Sequence, residues 1–210
     1  MHSVIQEITE GNDWRNGEFA KFKANQSGVE PKLWYRMCVP MIYAHWEGFV
    51  VDALKTMLAY LNELKLTHSE LPTRLVVLSL GDNYRTLSGK QSFSQRIEFT
   101  EKFKNLLDSV IQFQTKVETK SNLKGKVFKE LCDIFGFDTK TYSSFLPDID
   151  RLVSIRNSIA HGENSFLPSS DNINLYINSV QCACDLLLED IDNYLAKKKY
   201  LVAAEQDDTA

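Results

Sequence analysis

The sequence predicts an all-α fold built as a helical bundle, and three observations carry that expectation. Helix breakers are sparse, with five prolines and nine glycines in 210 residues, and the glycines fall mostly between periodic segments. Apolar residues recur at helical spacing. No stretch alternates valine, isoleucine and threonine between turn pairs, so no strand is expected. An apolar fraction of 43% and a charged fraction of 25% suit a globular chain able to bury its own core without disulfides or a structural metal.

The elements follow in order. A first helix is expected from Asp13, as N-cap, to about Ala24. After the loop NQSGVEP, a long amphipathic run spans Pro31 to about Leu64, with Pro31 suited to a first turn and Pro40 expected to kink or break the run. A shorter helix is read from Ser69 to Leu80. The loop GDNYRTLSGK and a helix near Ser92–Leu107 come next. SNLKGKVFKELCDIFGF reads as a helix ending at Gly136, followed by helices over Leu146–Ala160 and Asn172–Lys198. The whole reads as one domain over residues 1–200, with about 66–120 as a candidate helical insertion and 201–210, ending EQDDTA, as a disordered tail.

Four scattered cysteines and an N-terminus lacking a basic and then an apolar region point to a reducing, cytoplasmic setting. No apolar run is long enough to cross a bilayer. A net charge of −4 argues against bulk electrostatic coating of nucleic acid but leaves room for a local basic groove.

The segment LVSIRNSIAHGE raises the functional question. With Ile149 at the origin of a helical wheel, Leu152, Val153, Ile159 and Ala160 form a core-facing stripe, and Arg156 falls at its centre. An unpaired buried guanidinium costs several kcal/mol, so Arg156 needs a partner, a ligand or an interface. His161 lies ~140° round the wheel, and Gly162 favours the left-handed position that ends a helix. Two copies packed about a two-fold axis would bring an arginine and a histidine together. The structural alternative is a fold-anchoring arginine and a helix closed by histidine and glycine. On the long helix Tyr43, Ala44, Val50, Val51, Leu54 and Leu58 share a face with Glu47 among them, so Glu47 is expected to face Arg156.

RNSIAH followed by Gly162 resembles the signature of HEPN-domain proteins, an arginine and a histidine separated by four to six residues, here four, with a polar residue after the arginine. YAHWEGFV, DWRNGEF and SNLKGKVF are similar to a bacterial stand-alone subgroup, so the resemblance covers about Asp13 to Leu195. It implies a bundle that dimerises through the motif helices and, in many members, a metal-independent endoribonuclease acting as a toxin or in phage defence. Carried onto this chain, it makes Arg156 and His161 the catalytic pair and Asn157 their polar support. Members paired with a nucleotidyltransferase antitoxin often carry a tyrosine two residues after the histidine. Glu163 stands there, which puts that pairing in doubt.

The chemistry suits the residue types. RNA carries its own nucleophile, the 2′-hydroxyl, so a site needs only to move protons and stabilise charge on the phosphorus. Free imidazole titrates at ~6.5, close to operating pH. A guanidinium stays charged and binds two phosphate oxygens at once. His161 is therefore the expected proton carrier, Arg156 the phosphate ligand, and Glu47 an orienting group. Lys124, Lys126, Lys140 and Arg151 are candidate RNA contacts, with Lys129 beside them. RNA as substrate, a homodimer, an antitoxin or defence partner, no membrane and no cofactor or metal complete the expectation. The alternative is a non-catalytic HEPN module binding a protein or nucleotide.

Other features carry less. Cys182 and Cys184 form a C-x-C that points apart on a helix, without the second pair a zinc site needs. GDNYRTLSGKQS lacks the spacing and the preceding strand of a phosphate-binding loop. His45 and Trp46 read as core and groove residues, and Lys197–Lys199 complement a helix C-terminus.

Overall fold

One helix of 33 residues, α2 (Pro31–Glu63), is the axis on which the molecule is assembled. The computed structural model describes residues 2–24, 29–81, 92–107 and 109–202, with the side chains of 106 and 107 excepted. Besides α2 it contains α1 (Ser3–Ala24), α3 (Thr73–Leu80), α4 (Phe93–Leu107), α5 (Gly125–Phe135), α6 (Leu146–Ala160) and α7 (Ser170–Ala196). Short 3-10 turns lie at His68–Glu70 and Thr139–Tyr142. Among the described residues the extended structure is a single bridge between Thr67 and Val110. The fold is all-α.

Thirteen side chains of α2 are buried, Val39, Ile42, Trp46, Val50, Ala53 and Met57 completely. Each large apolar side chain removed from water contributes ~1.5–3 kcal/mol, so packing, more than helix propensity, holds so long an element in the bundle. α2 packs against α1, α6 and α7, α6 against α7, and α5 joins α3 to α6. The N-cap is Glu30, whose carboxylate accepts from the N–H groups of Lys32 and Leu33.

Two helix boundaries differ from the sequence reading. α1 starts at Ser3, ten residues before the expected cap, and Asp13 lies inside it. Gly11-Asn12-Asp13 has the composition of a break. The helix runs through because Val4, Ile5 and Ile8 are buried, and because Asn12 folds back to donate to the Ile8 carbonyl and accept from Arg15 Nε. The helix expected over Ser69–Leu80 is divided. Leu71, preceding Pro72, is extended at φ −102° and ψ 145°, as the proline ring demands, and α3 begins at Thr73.

Pro40 does not break α2. Buried Cys38 and Val39 before it and Ile42 and Tyr43 after it face the same core, which carries the helix across the lost backbone bond. The remaining expectations match closely: α5 ends against Gly136 at φ 74°, and α6 spans Leu146–Ala160. The segment after α2 leaves and returns at one point, where Ile111 N–H donates to the Leu66 carbonyl at 2.8 Å. Asn62 secures that return by exchanging hydrogen bonds with the backbone of Phe113. The loop expected at GDNYRTLSGK lies, from Asp82 onward, outside the described residues, as do most of the NQSGVEP loop and most of the tail.

Candidate functional site

Arg156 leaves the core one turn before α6 ends. Ile149, Leu152, Val153 and Ile155 are buried, but Arg156 and Ile159 are only half-buried and Ala160 is exposed. The stripe therefore runs out at the arginine, and Arg156 is not in a dry interior. Its guanidinium carbon stacks 4.5 Å from the centre of the Tyr43 ring, and Nη1 donates to Asn157 Oδ1 at 3.0 Å. The expected partner, Glu47, does not reach it. Glu47 Oε1 accepts from the Thr119 hydroxyl at 2.6 Å, and Tyr43 is the neighbour on which both charges act. The wheel placed Glu47 on the correct face, but an aromatic ring takes the position next to the guanidinium.

Tyr43 is 2% exposed, and its hydroxyl accepts the Leu123 N–H at 3.0 Å. Burial, reinforced by the Glu47 carboxylate, pushes that phenol up to about 12. It is a neutral aromatic surface at any physiological pH. The carbonyl of Leu123 accepts from the indole of Trp46 at 3.0 Å, so two α2 residues clamp both backbone polar groups of one residue in the segment entering α5. This fixes neighbouring Asn122, whose Oδ1 accepts from Asn157 Nδ2 at 3.1 Å. Asn157 is thus a bridge: one end of its amide orients Arg156, the other is tied to Asn122.

The turn ahead of that clamp is strained. Lys120 and Ser121 have φ of 57° and 50°, and Asn122 N–H closes back onto the Thr119 carbonyl at 3.1 Å. Non-glycine residues pay about 1–2 kcal/mol each for that conformation. It is over-determined by Thr119 on Glu47, the Lys120–Glu130 ion pair and Asn122 on Asn157. At Gly125 α5 passes close to α6, since a Cβ there would lie 3.3 Å from that of Leu146. The Gly125 N–H is capped by Asp150 at 2.6 Å.

His161 occupies the C-cap of α6, exposed, and among the described residues its ring makes no side-chain hydrogen bond. Gly162 at φ 79° sends its N–H to the Ile159 carbonyl, and Glu163 N–H returns to Ser158, the paired closure that a left-handed glycine permits. Arg36 of α2 then holds the outgoing loop, donating to the carbonyls of Glu163 at 2.9 Å and Phe166 at 3.2 Å. Among the described residues no side-chain hydrogen bond joins Arg156 to His161.

The candidate RNA contacts are dispersed. Lys124 is the half-buried N-cap of α5. Lys126 and Lys129 line a shallow groove with Glu130, Asp133 and Asp150, a mixed rather than basic surface. Lys140 precedes the N-terminus of α6, the end away from the motif, and Arg151 is exposed on its outer side. Sequence reasoning missed Arg36, Asn122 and Thr119, and it read Tyr43 only as core.

The motifs DWRNGEF and AHWEGF meet on the opposite face of α2. Arg15 lies over Gly48, where a Cβ would come within 2.9 Å of its guanidinium nitrogens, and pairs with Asp52 at 2.8 Å. His45, buried as expected of a core residue, places Nε2 3.0 Å from Glu18 but off the line of a good hydrogen bond. Burial holds its imidazole below the usual range, against the pull of Glu18. A cleft of about 580 Å³ opens beside them between α1, α2 and α7, and neither Arg156 nor His161 lines it.

A family model described as RiboL-PSP-HEPN matches residues 10–197. The chain belongs to the RiboL-PSP-HEPN family. No curated protein and no solved structure gives a match. HEPN domains are in general ribonuclease or nucleotide-binding modules and all-α, which agrees with the bundle described above. Among the described residues no helix is long and apolar enough to cross a membrane.

Proposed function

We propose that this RiboL-PSP-HEPN chain is a metal-independent endoribonuclease with Arg156 and His161 as its catalytic residues, acting as a toxin or phage-defence effector. The observation that carries the reading is how little the two groups are committed. Arg156 is held by Tyr43 and Asn157, yet among the described residues only one of a guanidinium's five N–H donors is taken. The others remain for the non-bridging oxygens of a phosphate. His161, at the rim of the same element, has an imidazole without a side-chain hydrogen bond among the described residues.

In the reaction the 2′-oxygen attacks the adjacent phosphorus and the 5′-oxygen leaves. His161 takes the proton of the 2′-hydroxyl, and an imidazole returns one to the leaving oxygen. Two copies of the chain supply two imidazoles and two guanidinium groups to one composite groove, so base and acid need not be the same ring. Arg156 neutralises charge that grows on the phosphorane, a gain concentrated in the transition state. The products are a 2′,3′-cyclic phosphate and a 5′-hydroxyl end, and DNA is inert. Asn157 and Glu47 are positioning residues, the first on Arg156 and the second on the Thr119 turn.

The test is RNA cleavage by the purified chain in EDTA beside Arg156→Ala and His161→Ala, with analysis of the ends. Cleavage by the wild type alone, leaving cyclic phosphates, supports the reading. Wild type as inert as its folded variants across several RNA classes overturns it in favour of a module that binds a protein or nucleotide.

A further inference from the structure

The proposed reaction leaves two motifs unused, DWRNGEF of α1 and AHWEGF of α2, and both contribute to the cleft of about 580 Å³ between α1, α2 and α7. Small-molecule sites generally measure ~300–1,000 Å³, so the cleft has the capacity of one. Its floor is apolar, with Phe19, Phe49 and Val180 buried and Leu188 half-buried. Its rim is polar. Asn16 of α1 accepts from Gln181 of α7 at 2.9 Å, and Thr9 and Asn178 are exposed on the same rim.

Both signs of charge are built into the walls. The cation is Arg15, whose side chain is only 11% exposed. Three acceptors fix it: Asn12 Oδ1 lies 2.7 Å from Nε, Asp52 2.8 Å from Nη2, and His45 Nδ1 3.5 Å from Nη1. The Trp14 ring lies 4.6 Å from the guanidinium carbon, and Gly48 makes the room, since a Cβ there would come within 2.9 Å of the guanidinium nitrogens. Of a guanidinium's five N–H groups, two therefore remain among the described residues. The anions are Asp13 on α1 and Asp185 on α7, both exposed and without an ion pair among the described residues. Partial burial and the neighbouring Glu189 hold the Asp185 carboxyl above its usual range, as befits a carboxylate with no cation at hand. The Cys184 thiol, on the same wall, is pushed up by Asp185 and pulled down by Arg15, so anion and cation flank one point of the cleft.

An inorganic anion is repelled by the two carboxylates, and a simple amine leaves the two guanidinium donors without an acceptor. A zwitterion satisfies both, and an apolar side chain on it covers the floor. We propose that the cleft binds a free α-amino acid with an apolar side chain, its carboxylate on Arg15, its ammonium group on Asp13 and Asp185, and its side chain over Phe19, Phe49 and Leu188. Such a ligand touches α1 and α7 at once and ties them together. The site is separate from Arg156 and His161, neither of which lines it.

The experiment is isothermal titration calorimetry of the full chain with L-leucine and L-phenylalanine, and with two leucine analogues that each lack one charge, 3-methylbutylamine and 4-methylpentanoate. The expected result is binding of at least one amino acid, and binding of both analogues at least ~10-fold weaker. The double variant Asp13→Asn/Asp185→Asn should weaken amino-acid binding at least ~10-fold. Arg15→Lys, which keeps the charge but loses the planar fork, should weaken it as much. Far-UV circular dichroism and a melting curve establish that each variant is folded, and if Arg15→Lys is not, the exposed acidic pair carries the test alone. Absence of any binding tighter than ~1 mM overturns the proposal. So does an analogue that binds as well as the amino acids, which marks a site for one charge only, or a folded double variant that binds undiminished. RNA cleavage is no part of the readout, so the outcome is the same whether or not the chain cuts RNA.

Discussion

The stacking of Arg156 on Tyr43 can be measured as a coupling energy. The perturbation is a double-mutant cycle of Tyr43→Leu and Arg156→Met, each removing one partner while keeping side-chain bulk. Exposed cation–π pairs contribute ~0.5–1 kcal/mol and desolvated ones ~2. Tyr43 is 2% exposed and Arg156 half-buried, so the coupling belongs between, at ~1–1.5 kcal/mol. Tyr43→Phe separates the ring from its hydroxyl. It keeps the stack but leaves the Leu123 N–H without an acceptor in the interior, at a cost of ~1–3 kcal/mol. Urea denaturation followed by circular dichroism gives the four corners of the cycle and the Phe variant. Because the phenol is held up at about 12, the coupling should be flat between pH 6 and 9. A coupling below ~0.3 kcal/mol, the scatter expected of independent sites, would refute the claim that Tyr43 holds the arginine. Tyr43→Phe should retain most of any RNA cleavage per folded molecule, and Tyr43→Leu should lose it with Asn157→Ala.

Three other measurements bear on the physical reading. Gly17 sits inside α1 with nothing within 4 Å of a Cβ, so Gly17→Ala should gain ~1 kcal/mol and raise the melting temperature by ~2–4 °C. Ser121→Gly should relieve a left-handed residue and, after the entropy cost of glycine, leave ~0.5–1 kcal/mol of net stabilisation; a lower melting temperature would show that Ser121 is not strained. His45 is held below its usual range, so the native state prefers the neutral ring. Its contribution is complete above the unfolded value of ~6.5 and is lost as pH falls through and below it. Melting curves from pH 7.5 to 5 should fall, and His45→Gln should flatten that fall.

The bundle was legible because its pattern is local. The 3.6-residue spacing, the glycines at 136 and 162 and the proline at 31 are read one helix at a time, and the end of α5 and both ends of α6 match within a residue, while α5 starts four residues later than the segment read from Ser121. The N-terminal boundary was not, because Gly11-Asn12-Asp13 is a break in composition, and only tertiary burial of Val4, Ile5 and Ile8 carries a helix through it. At the site, a wheel assigns side chains to faces but not to neighbours. It put Arg156 and Glu47 on facing stripes, and pairing by charge was the natural next step. What decides the geometry is the ring of Tyr43, four residues before Glu47, and a turn 72 residues beyond it. Asn122 lies within SNLKGKVF, which resemblance had marked without a reason. The reason is its hold on Asn157.

α2 reaches the outgoing loop through Arg36, the guanidinium of α6 through Tyr43 and the strained turn through Glu47. Those three grips are spaced along eleven residues, about 16 Å of rigid rod. Three segments far apart in the chain are therefore referenced to one ruler, and they move with it as one body. Such a device is forgiving of a changed side chain and unforgiving of a changed count. One residue inserted between Arg36 and Tyr43 would swing every later mark by ~100°. Across generations, that stretch of α2 can vary in letters but hardly in length.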